Sequence, residues 1–106
     1  MVYAFLDINP IRPGHTLVVP KIEVDDFEQL PVEYNQAIWN VANRLTKTLK
    51  KTFACPKVWL SIVGLEVPHA HIHLIPIHSL QDVTLEATSA TVEELENIQQ
   101  HIIQEL

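Results

Sequence analysis

The chain has 106 residues, of which 47% are apolar and 19% are charged, and its formal net charge at pH 7 is −6. This length fits one domain with a single core, and the composition is that of a globular protein rather than a disordered one. The acidic balance argues against duplex nucleic acid as a partner, because such binding needs a basic footprint. The sequence shows neither a membrane-spanning apolar run nor a signal-peptide pattern, so we expect a cytoplasmic protein. Cys55 is the only cysteine in the sequence, which excludes a disulfide within the chain and a CxxC zinc-binding motif.

The first half of the chain predicts a β-hairpin followed by a long helix. The apolar run 2–6 ends in a turn rich in Pro and Gly, and the β-branched run 15–19 predicts the second strand. Residues 32–53 have apolar side chains at spacings of three and four, which is the pattern of an amphipathic helix. Pro56 then closes that segment.

The second half predicts two more strands and a terminal helix. Residues 57–63 and 67–77 read as strands, with Gly64 as the joint between them. A polar connection over 81–90 leads to a capping box that begins at Thr91 and opens a C-terminal helix. The order ββαββα indicates an α+β domain with an antiparallel sheet.

Three histidines stand at alternate positions within the predicted fourth strand. Because side chains alternate between the two faces of a strand, His69, His71 and His73 share one face. The apolar residues that alternate with them, Ala70, Ile72 and Leu74, share the opposite face. One histidine in a strand is ordinary packing, but three in register predict a functional site.

Two chemistries suit such a row of imidazoles. Two histidines at positions i and i+2 can share a metal ion, and His69, His71 and His15 are the ligands for that alternative. A neutral imidazole can instead attack phosphorus and form a covalent intermediate, while its neighbours donate hydrogen bonds to phosphate oxygens. We favour the covalent alternative, because the predicted strand carries no Asp, Glu or Cys.

The segment from His69 to Ile75 resembles the His-φ-His-φ-His-φ-φ signature of the histidine triad (HIT) family of nucleotide hydrolases and transferases, where φ is an apolar residue. Residues 5–10 and 13–21 resemble the family's first conserved block, and residues 64–68 lie where the family has a Gly-Gln-x-Val segment. The resemblance covers nearly the whole chain. It implies a HIT-like fold, with an antiparallel meander sheet of about four to five strands, one long central helix and a C-terminal helix.

The resemblance also assigns roles to individual residues. It makes His71 the nucleophile, and it makes His69 and His73 the flanking pair that orients both the nucleophile and the phosphate. It makes His15 a fourth catalytic histidine and Asp7 the carboxylate that accepts hydrogen bonds from the ribose. The apolar slot for the base is expected at Phe5, Leu6 and Ile8. Family members are commonly homodimers, so a homodimer is implied here as well.

Three departures separate this chain from the family pattern. Leu65 takes the place of the usual Gln, and the loop over 61–65 has no Asn, so phosphate contacts are expected from backbone N–H groups, Ser61 or Glu66. The Arg that usually follows the triad is replaced by Ile77-His78. The family's opening helix and strand are missing ahead of residue 2, so we expect residues 1–106 to be a single HIT domain without that segment.

These inferences predict a nucleotide hydrolase that cleaves a phosphoanhydride or phosphoramidate at the α-phosphorus through a nucleotidyl-His71 intermediate. Dinucleoside polyphosphates and nucleoside phosphoramidates are the substrate classes that the resemblance implies. We expect no cofactor, no catalytic metal and no membrane partner. The alternatives are a nucleotide-binding protein with weak turnover and the histidine-ligated metalloprotein.

Overall fold

The computed structural model describes residues 1–65 and 67–106, and the described chain forms one four-stranded antiparallel sheet with two helices. The strands are β1 (Val2–Leu6), β2 (Thr16–Pro20), β3 (Lys57–Ser61) and β4 (Ile72–Ile77); the helices are α1 (Val32–Phe53) and α2 (Val92–Glu105). Short 3₁₀ helices lie at Phe27–Gln29 and Leu80–Thr84. The strand order is β1-β2-β4-β3, because α1 carries the chain to the far edge and β4 returns between β2 and β3. The predicted α+β class is confirmed.

One face of the sheet packs against α1 and forms the core. Ile38, Ala42 and Leu49 of α1 are fully buried, and they meet Val18 of β2 and Leu74 of β4. The predicted helix bounds and the buried stripe are both confirmed. The stripe places one apolar side chain toward the sheet at nearly every turn, which fixes the helix on the sheet.

The end of α1 also holds the loop that precedes β2. Gly14 has a φ of +91°, and a Cβ atom at this position would collide with the ring of Phe53. Only glycine accommodates both the left-handed backbone and this close approach. His15, the next residue, is therefore held at a fixed position and is 3% exposed.

Two strands are shorter than predicted. β3 ends at Ser61 rather than residue 63, and β4 begins at Ile72 rather than residue 67. Gly64 has a φ of +70° and Pro68 has no N–H, so the chain between them leaves the sheet. His69 and His71 consequently precede β4, although the alternation of faces continues through them, since Ala70 and Ile72 are both buried.

The other face of the sheet points away from α1. The cross-strand register aligns Phe5 with Leu17 and Leu17 with His73, so these side chains form a row on that face.

The C-terminal part completes the fold. Thr91 caps α2, accepting a hydrogen bond from the N–H of Glu94 at 3.1 Å as predicted. Ile98 and Ile102 of α2 pack against the core. Neither helix in the described residues combines the length and apolarity needed to cross a membrane.

Candidate active site

Three imidazoles form a continuous hydrogen-bonded chain. The Nε2 atom of His71 lies 3.1 Å from Nε2 of His73, and Nδ1 of His73 lies 2.9 Å from Nε2 of His15. The N–H of Ile11 reaches Nδ1 of His15 at 3.1 Å, and Nδ1 of His71 lies 2.6 Å from the carbonyl oxygen of His69. The chain thus has a backbone donor at one end and a backbone acceptor at the other.

The two backbone groups set the direction of every bond between them. The N–H of Ile11 can only donate, so Nδ1 of His15 accepts and its Nε2 carries the proton. That proton is donated to Nδ1 of His73, whose Nε2–H is then donated to Nε2 of His71. The carbonyl oxygen of His69 accepts the Nδ1–H of His71. All three rings can therefore be neutral with each bond satisfied, and Nε2 of His71 keeps its lone pair.

Burial keeps two of the three hydrogen-bonded imidazoles uncharged. Burial lowers the pKa of His15, and the Asp7 carboxylate opposes this by favouring the charged ring. Burial, followed by repulsion from His71 and His15, lowers the pKa of His73 to about 4, again against the attraction of Asp7. At neutral pH both rings are therefore neutral, as the directed hydrogen bonds require.

Asp7 stands at the far end of the histidine chain from His71. Its Oδ1 accepts the N–H of Asn9 at 2.8 Å, and its Oδ2 lies 3.7 Å from Nε2 of His15. One carboxylate oxygen therefore holds the local turn while the other lies beside His15, and Asp7 also lines a cavity.

His69 contributes mainly through its backbone. The carbonyl oxygen of His69 accepts the Nδ1–H of His71 and so orients that ring, while the Nε2–H of His69 donates to the carbonyl oxygen of Pro20 at 3.1 Å. The side chain of His69 is therefore tethered to the end of β2, outside the chain of three imidazoles.

Two cavities meet at His71. The larger has a volume of about 760 Å³, and its walls include Asp7, His15, His73 and the loop of Val63 and Leu65. The smaller has a volume of about 220 Å³ and lies over Tyr3, Phe5 and Val19, with His69 and His71 on its wall. Since His71 belongs to both, a group bound at this side chain can extend in two directions.

Among the described residues, the cluster most similar to a metal-ligand set is Asp7, His15 and His73, whose ligand atoms lie within 4.8 Å of one another. A metal-bound histidine donates its second ring N–H to an acceptor. The second nitrogen of His15 instead faces the N–H of Ile11, which is a donor. This cluster therefore suits a hydrogen-bonded chain better than an ion.

The structure places six of the predicted site residues at these two cavities and two of them away from both. His71, His73, His15 and Asp7 meet at the larger cavity, and Phe5 lines the smaller one together with His69. Leu6 packs toward the core, and Ile8 is 66% exposed without lining either cavity. Glu66 lies outside the described residues.

Several residues that line the larger cavity were not predicted from the sequence. Asn9 and Ile11 line the larger cavity from the loop after Asp7, and Ala87 and Thr88 line it from the polar connection before α2. The Pro-rich turn could have drawn attention to the first pair. The second pair has no apolar periodicity or motif that would have marked it.

Comparison with known proteins identifies one family, that of the HIT domain. The model of the HIT domain family matches residues 1–80. The adenosine 5'-monophosphoramidase of Saccharomyces cerevisiae is 39% identical over 75 residues, covering 70% of this chain and 48% of the yeast protein. The asymmetrical bis(5'-nucleosyl)-tetraphosphatase of Schizosaccharomyces pombe is 30% identical over 78 residues, covering 69% of this chain and 43% of that protein. The chain thus spans about half the length of these curated relatives.

The fold similarity extends further along the chain than the sequence similarity. A Hit-like protein involved in cell-cycle regulation from Bartonella henselae superposes with a TM-score of 0.85 at 26% identity, covering 99% of this chain and 80% of that one.

Proposed function

This chain belongs to the HIT domain family, and from that premise and the geometry of its histidines we propose that it is a nucleotide hydrolase. The bond cleaved is a phosphoanhydride or a P–N bond at the α-phosphorus of a nucleotide. The observation that carries the proposal is the directed chain of imidazoles, which leaves Nε2 of His71 unprotonated at the junction of two cavities. An unprotonated imidazole nitrogen is the form that acts as a nucleophile.

In the first step, the lone pair on Nε2 of His71 forms a bond to the α-phosphorus. The bond from phosphorus to the leaving oxygen or nitrogen breaks, and the leaving group takes the electron pair. The Nε2–H of His73, which points at His71 in the free protein, is placed to donate to a phosphate oxygen instead. Charge on the phosphate oxygens in the transition state is stabilised by such a donor. The carbonyl oxygen of His69 stabilises the positive ring of the nucleotidyl-His71.

In the second step, water attacks the same phosphorus, and the electron pair of the P–N bond returns to Nε2 of His71. The products are a nucleoside monophosphate and the original neutral imidazole. An amine leaving group takes up a proton from solvent in the first step, and the attacking water releases a proton to solvent in the second step, so that protons balance over the cycle. His71 keeps its Nδ1–H throughout, so the hydrogen bond to His69 need not break.

The activities named for two relatives support the bond types that we propose. One relative is named as a monophosphoramidase and another as a dinucleoside tetraphosphatase. These correspond to P–N and phosphoanhydride cleavage respectively. We propose that Asp7 accepts hydrogen bonds from the ribose, and its position on the wall of the larger cavity supports this role.

A nucleotide-binding protein with slow turnover is the second candidate, and one observation favours it. Leu65 lines the larger cavity and is 90% exposed, at a position where the family pattern has Gln. A leucine side chain cannot donate to a phosphate oxygen. Loss of one such donor typically costs about a hundred- to a thousand-fold in rate.

Single-turnover kinetics with adenosine 5'-phosphoramidate tests the proposal. We expect wild-type protein to release the amine with or without EDTA, and His71→Ala to bind AMP but release no amine. His101→Ala is the matched control, because His101 lies exposed on α2, away from both cavities. Wild-type rates in His71→Ala would rule out the covalent route. Loss of activity with EDTA, restored by one metal, would favour the metalloprotein alternative.

We also propose that the protein is a homodimer. The described sheet has β3 at one edge, and Leu60, Ile62 and Val63 on or beside this strand are exposed apolar residues. An exposed edge of this kind favours pairing with another copy. Sedimentation velocity should give twice the 12.1 kDa mass of the chain, and a monomer at high concentration would contradict this.

A further inference from the structure

The peptide group between Pro10 and Ile11 extends the hydrogen-bonded row of imidazoles beyond His15. Its N–H, that of Ile11, donates to Nδ1 of His15 at 3.1 Å. Its carbonyl oxygen, that of Pro10, accepts two hydrogen bonds from Thr88, one from the N–H at 3.0 Å and one from Oγ1 at 2.8 Å. This peptide group is planar and trans, so its oxygen and its N–H point in opposite directions. It therefore forms a bridge from Thr88 to His15.

The carbonyl end of this bridge depends on Thr88. Pro10 is buried, and a buried carbonyl group needs a hydrogen-bond donor. Among the described residues, both hydrogen bonds to this oxygen come from Thr88. The loop also contacts the segment after β4 through an ion pair, in which Nε of Arg12 lies 3.9 Å from Oδ1 of Asp82. The Arg12 side chain is 38% exposed, so this pair contributes little and Thr88 is the stronger support.

The N–H end of the bridge decides where the histidine protons lie. The Ile11 N–H excludes a proton from Nδ1 of His15, because two N–H groups would otherwise face each other. His15 then donates through Nε2, and His73 accepts at Nδ1. The proton of His73 therefore stays on Nε2, the atom that faces His71. The Asp7 carboxylate opposes this arrangement, since its Oδ2 lies 3.7 Å from Nε2 of His15 and favours the doubly protonated ring.

We propose that Thr88 is a positioning residue for the nucleophilic histidine, and that it acts through the Pro10–Ile11 peptide group and His15. Its effect on rate rests on the proposed function, whereas the tautomers belong to the free protein. Donors on a carbonyl oxygen polarise the peptide group and strengthen its N–H as a donor. Weaker support lets the Ile11 N–H turn away from His15, whose Nδ1 then accepts a proton. The HIT domain model matches residues 1–80, so this support comes from outside that match.

Direct contact with the substrate is the competing role for Thr88. The residue is exposed and lines the larger cavity, as Ile11 also does. Contact with a substrate would change binding and rate, but it would not change the protonation of the histidines before any ligand is bound. The two roles therefore separate in the free protein.

Histidine side-chain NMR spectra of the free protein over a pH series test the inference. The titratable groups beside His15 are Asp7 and His73, and His71 also faces His73. In the wild type at neutral pH, we expect His15 and His73 to carry the proton on Nε2 and His71 to carry it on Nδ1. Thr88→Val removes the hydroxyl and keeps the N–H, so His15 should become doubly protonated at a higher pH than in the wild type.

Two further variants identify the hydroxyl as the responsible group. Thr88→Ser keeps the donor and should give the wild-type spectra. Thr84→Val should also give them, because the Thr84 hydroxyl bonds only within its own turn. With adenosine 5'-phosphoramidate in a single turnover, Thr88→Val should form nucleotidyl-His71 about three- to tenfold more slowly, the loss expected for one hydrogen bond, with AMP affinity nearly unchanged.

The spectra decide the outcome whether or not the rates change. The inference is overturned if wild-type His15 carries its proton on Nδ1, a result that needs no variant. It is also overturned if Thr88→Val gives the wild-type spectra, and a slower rate with those spectra would assign Thr88 to substrate contact. Thr88→Ser spectra like those of Thr88→Val would contradict the role of the hydroxyl. Expected spectra without any adduct in the wild type would overturn the proposed function and leave the tautomers in place.

Discussion

At the scale of single residues, the reactivity assigned to His71 depends on a backbone amide four residues before His15. The Ile11 N–H fixes the tautomer of His15, and each imidazole in turn fixes the next. The sequence identified the four histidines and Asp7, because the spacing and the family motif are visible in it. It could not show the tautomers, since these depend on a bond from the turn at residue 11.

The role of Asp7 gives the first prediction. Asp7→Ala should weaken AMP binding by about 1.5–3 kcal/mol, the range for hydrogen bonds to a charged group. The melting temperature should change little, because the bond from Asp7 to the N–H of Asn9 is exposed. Calorimetric titration and a thermal melt measure the two effects, with the exposed Asp25→Ala as control. A large fall in melting temperature with unchanged affinity would make Asp7 a turn residue only.

The lowered pKa of His73 gives a second prediction, for stability against pH. The unfolded ring takes up a proton near its ordinary pKa of 6.5, whereas the folded ring does so only near 4. The unfolded state therefore binds more protons in this window, and stability falls as pH decreases from about 6.5 to about 4. His15 changes stability in the same direction, since its pKa is also lowered.

Urea unfolding at a series of pH values measures this effect. Because His73 is partly exposed, we expect it to account for only about 1–2 kcal/mol of the loss. His73→Gln should flatten the curve in that window, whereas His78→Gln, at an exposed position beyond β4, should not. The same slope in wild type and His73→Gln would mean that the His73 ring is not held neutral by the fold.

At the scale of elements, α1 was predicted to the residue, and β4 was not. The helix lies between two prolines and has a continuous apolar stripe. The local sequence therefore determines both its ends and its buried face. The start of β4 was predicted five residues too early, because alternate burial continues through His69 and His71 after the backbone has left the sheet. Burial pattern alone does not distinguish a paired strand from an extended segment.

The junction between α1 and β2 gives a third prediction. Gly14→Ala introduces both a positive φ for a side-chain residue and a collision with Phe53, so it should lower the free energy of unfolding by about 2–4 kcal/mol. Gly64→Ala is a matched control, since Gly64 also has a positive φ but has no atom within 4 Å of the added Cβ. Its cost should be about 1–2 kcal/mol.

Chemical denaturation of both variants separates strain from collision. The Phe53→Leu change should recover part of the loss in Gly14→Ala and none in Gly64→Ala. Equal destabilisation by the two glycine substitutions would mean that the ring of Phe53 moves aside without cost.

The loop before the triad gives a fourth prediction. Leu65→Gln restores a hydrogen-bond donor at the cavity wall and should raise the rate of forming nucleotidyl-His71, with little change in AMP affinity. Single-turnover kinetics and AMP titration measure the two quantities, with Leu85→Gln as an exposed control outside the cavity. A neutral or harmful Leu65→Gln would mean that backbone N–H groups already serve the phosphate.

At the scale of the whole molecule, the site is assembled from segments far apart in sequence. The β1–β2 hairpin supplies Asp7 and His15, the segment before β4 supplies His71, and Thr88 bonds to Pro10 across 78 positions of sequence. The sequence motifs made the contributions of the hairpin and of the segment before β4 predictable. The position of residues 85–90 was not predictable, because it depends on backbone hydrogen bonds to a distant loop and residues 81–90 show no periodicity.

The central claim is that phosphorus becomes bonded to His71, and intact-protein and peptide mass spectrometry tests it most directly. Wild-type protein is mixed with adenosine 5'-phosphoramidate in a single turnover and quenched without acid, because the P–N bond to histidine is acid-labile. We predict one transient nucleotidyl group per chain, located on His71, and none in His71→Ala. Turnover without any adduct, or an adduct on another residue that persists in His71→Ala, would contradict the account.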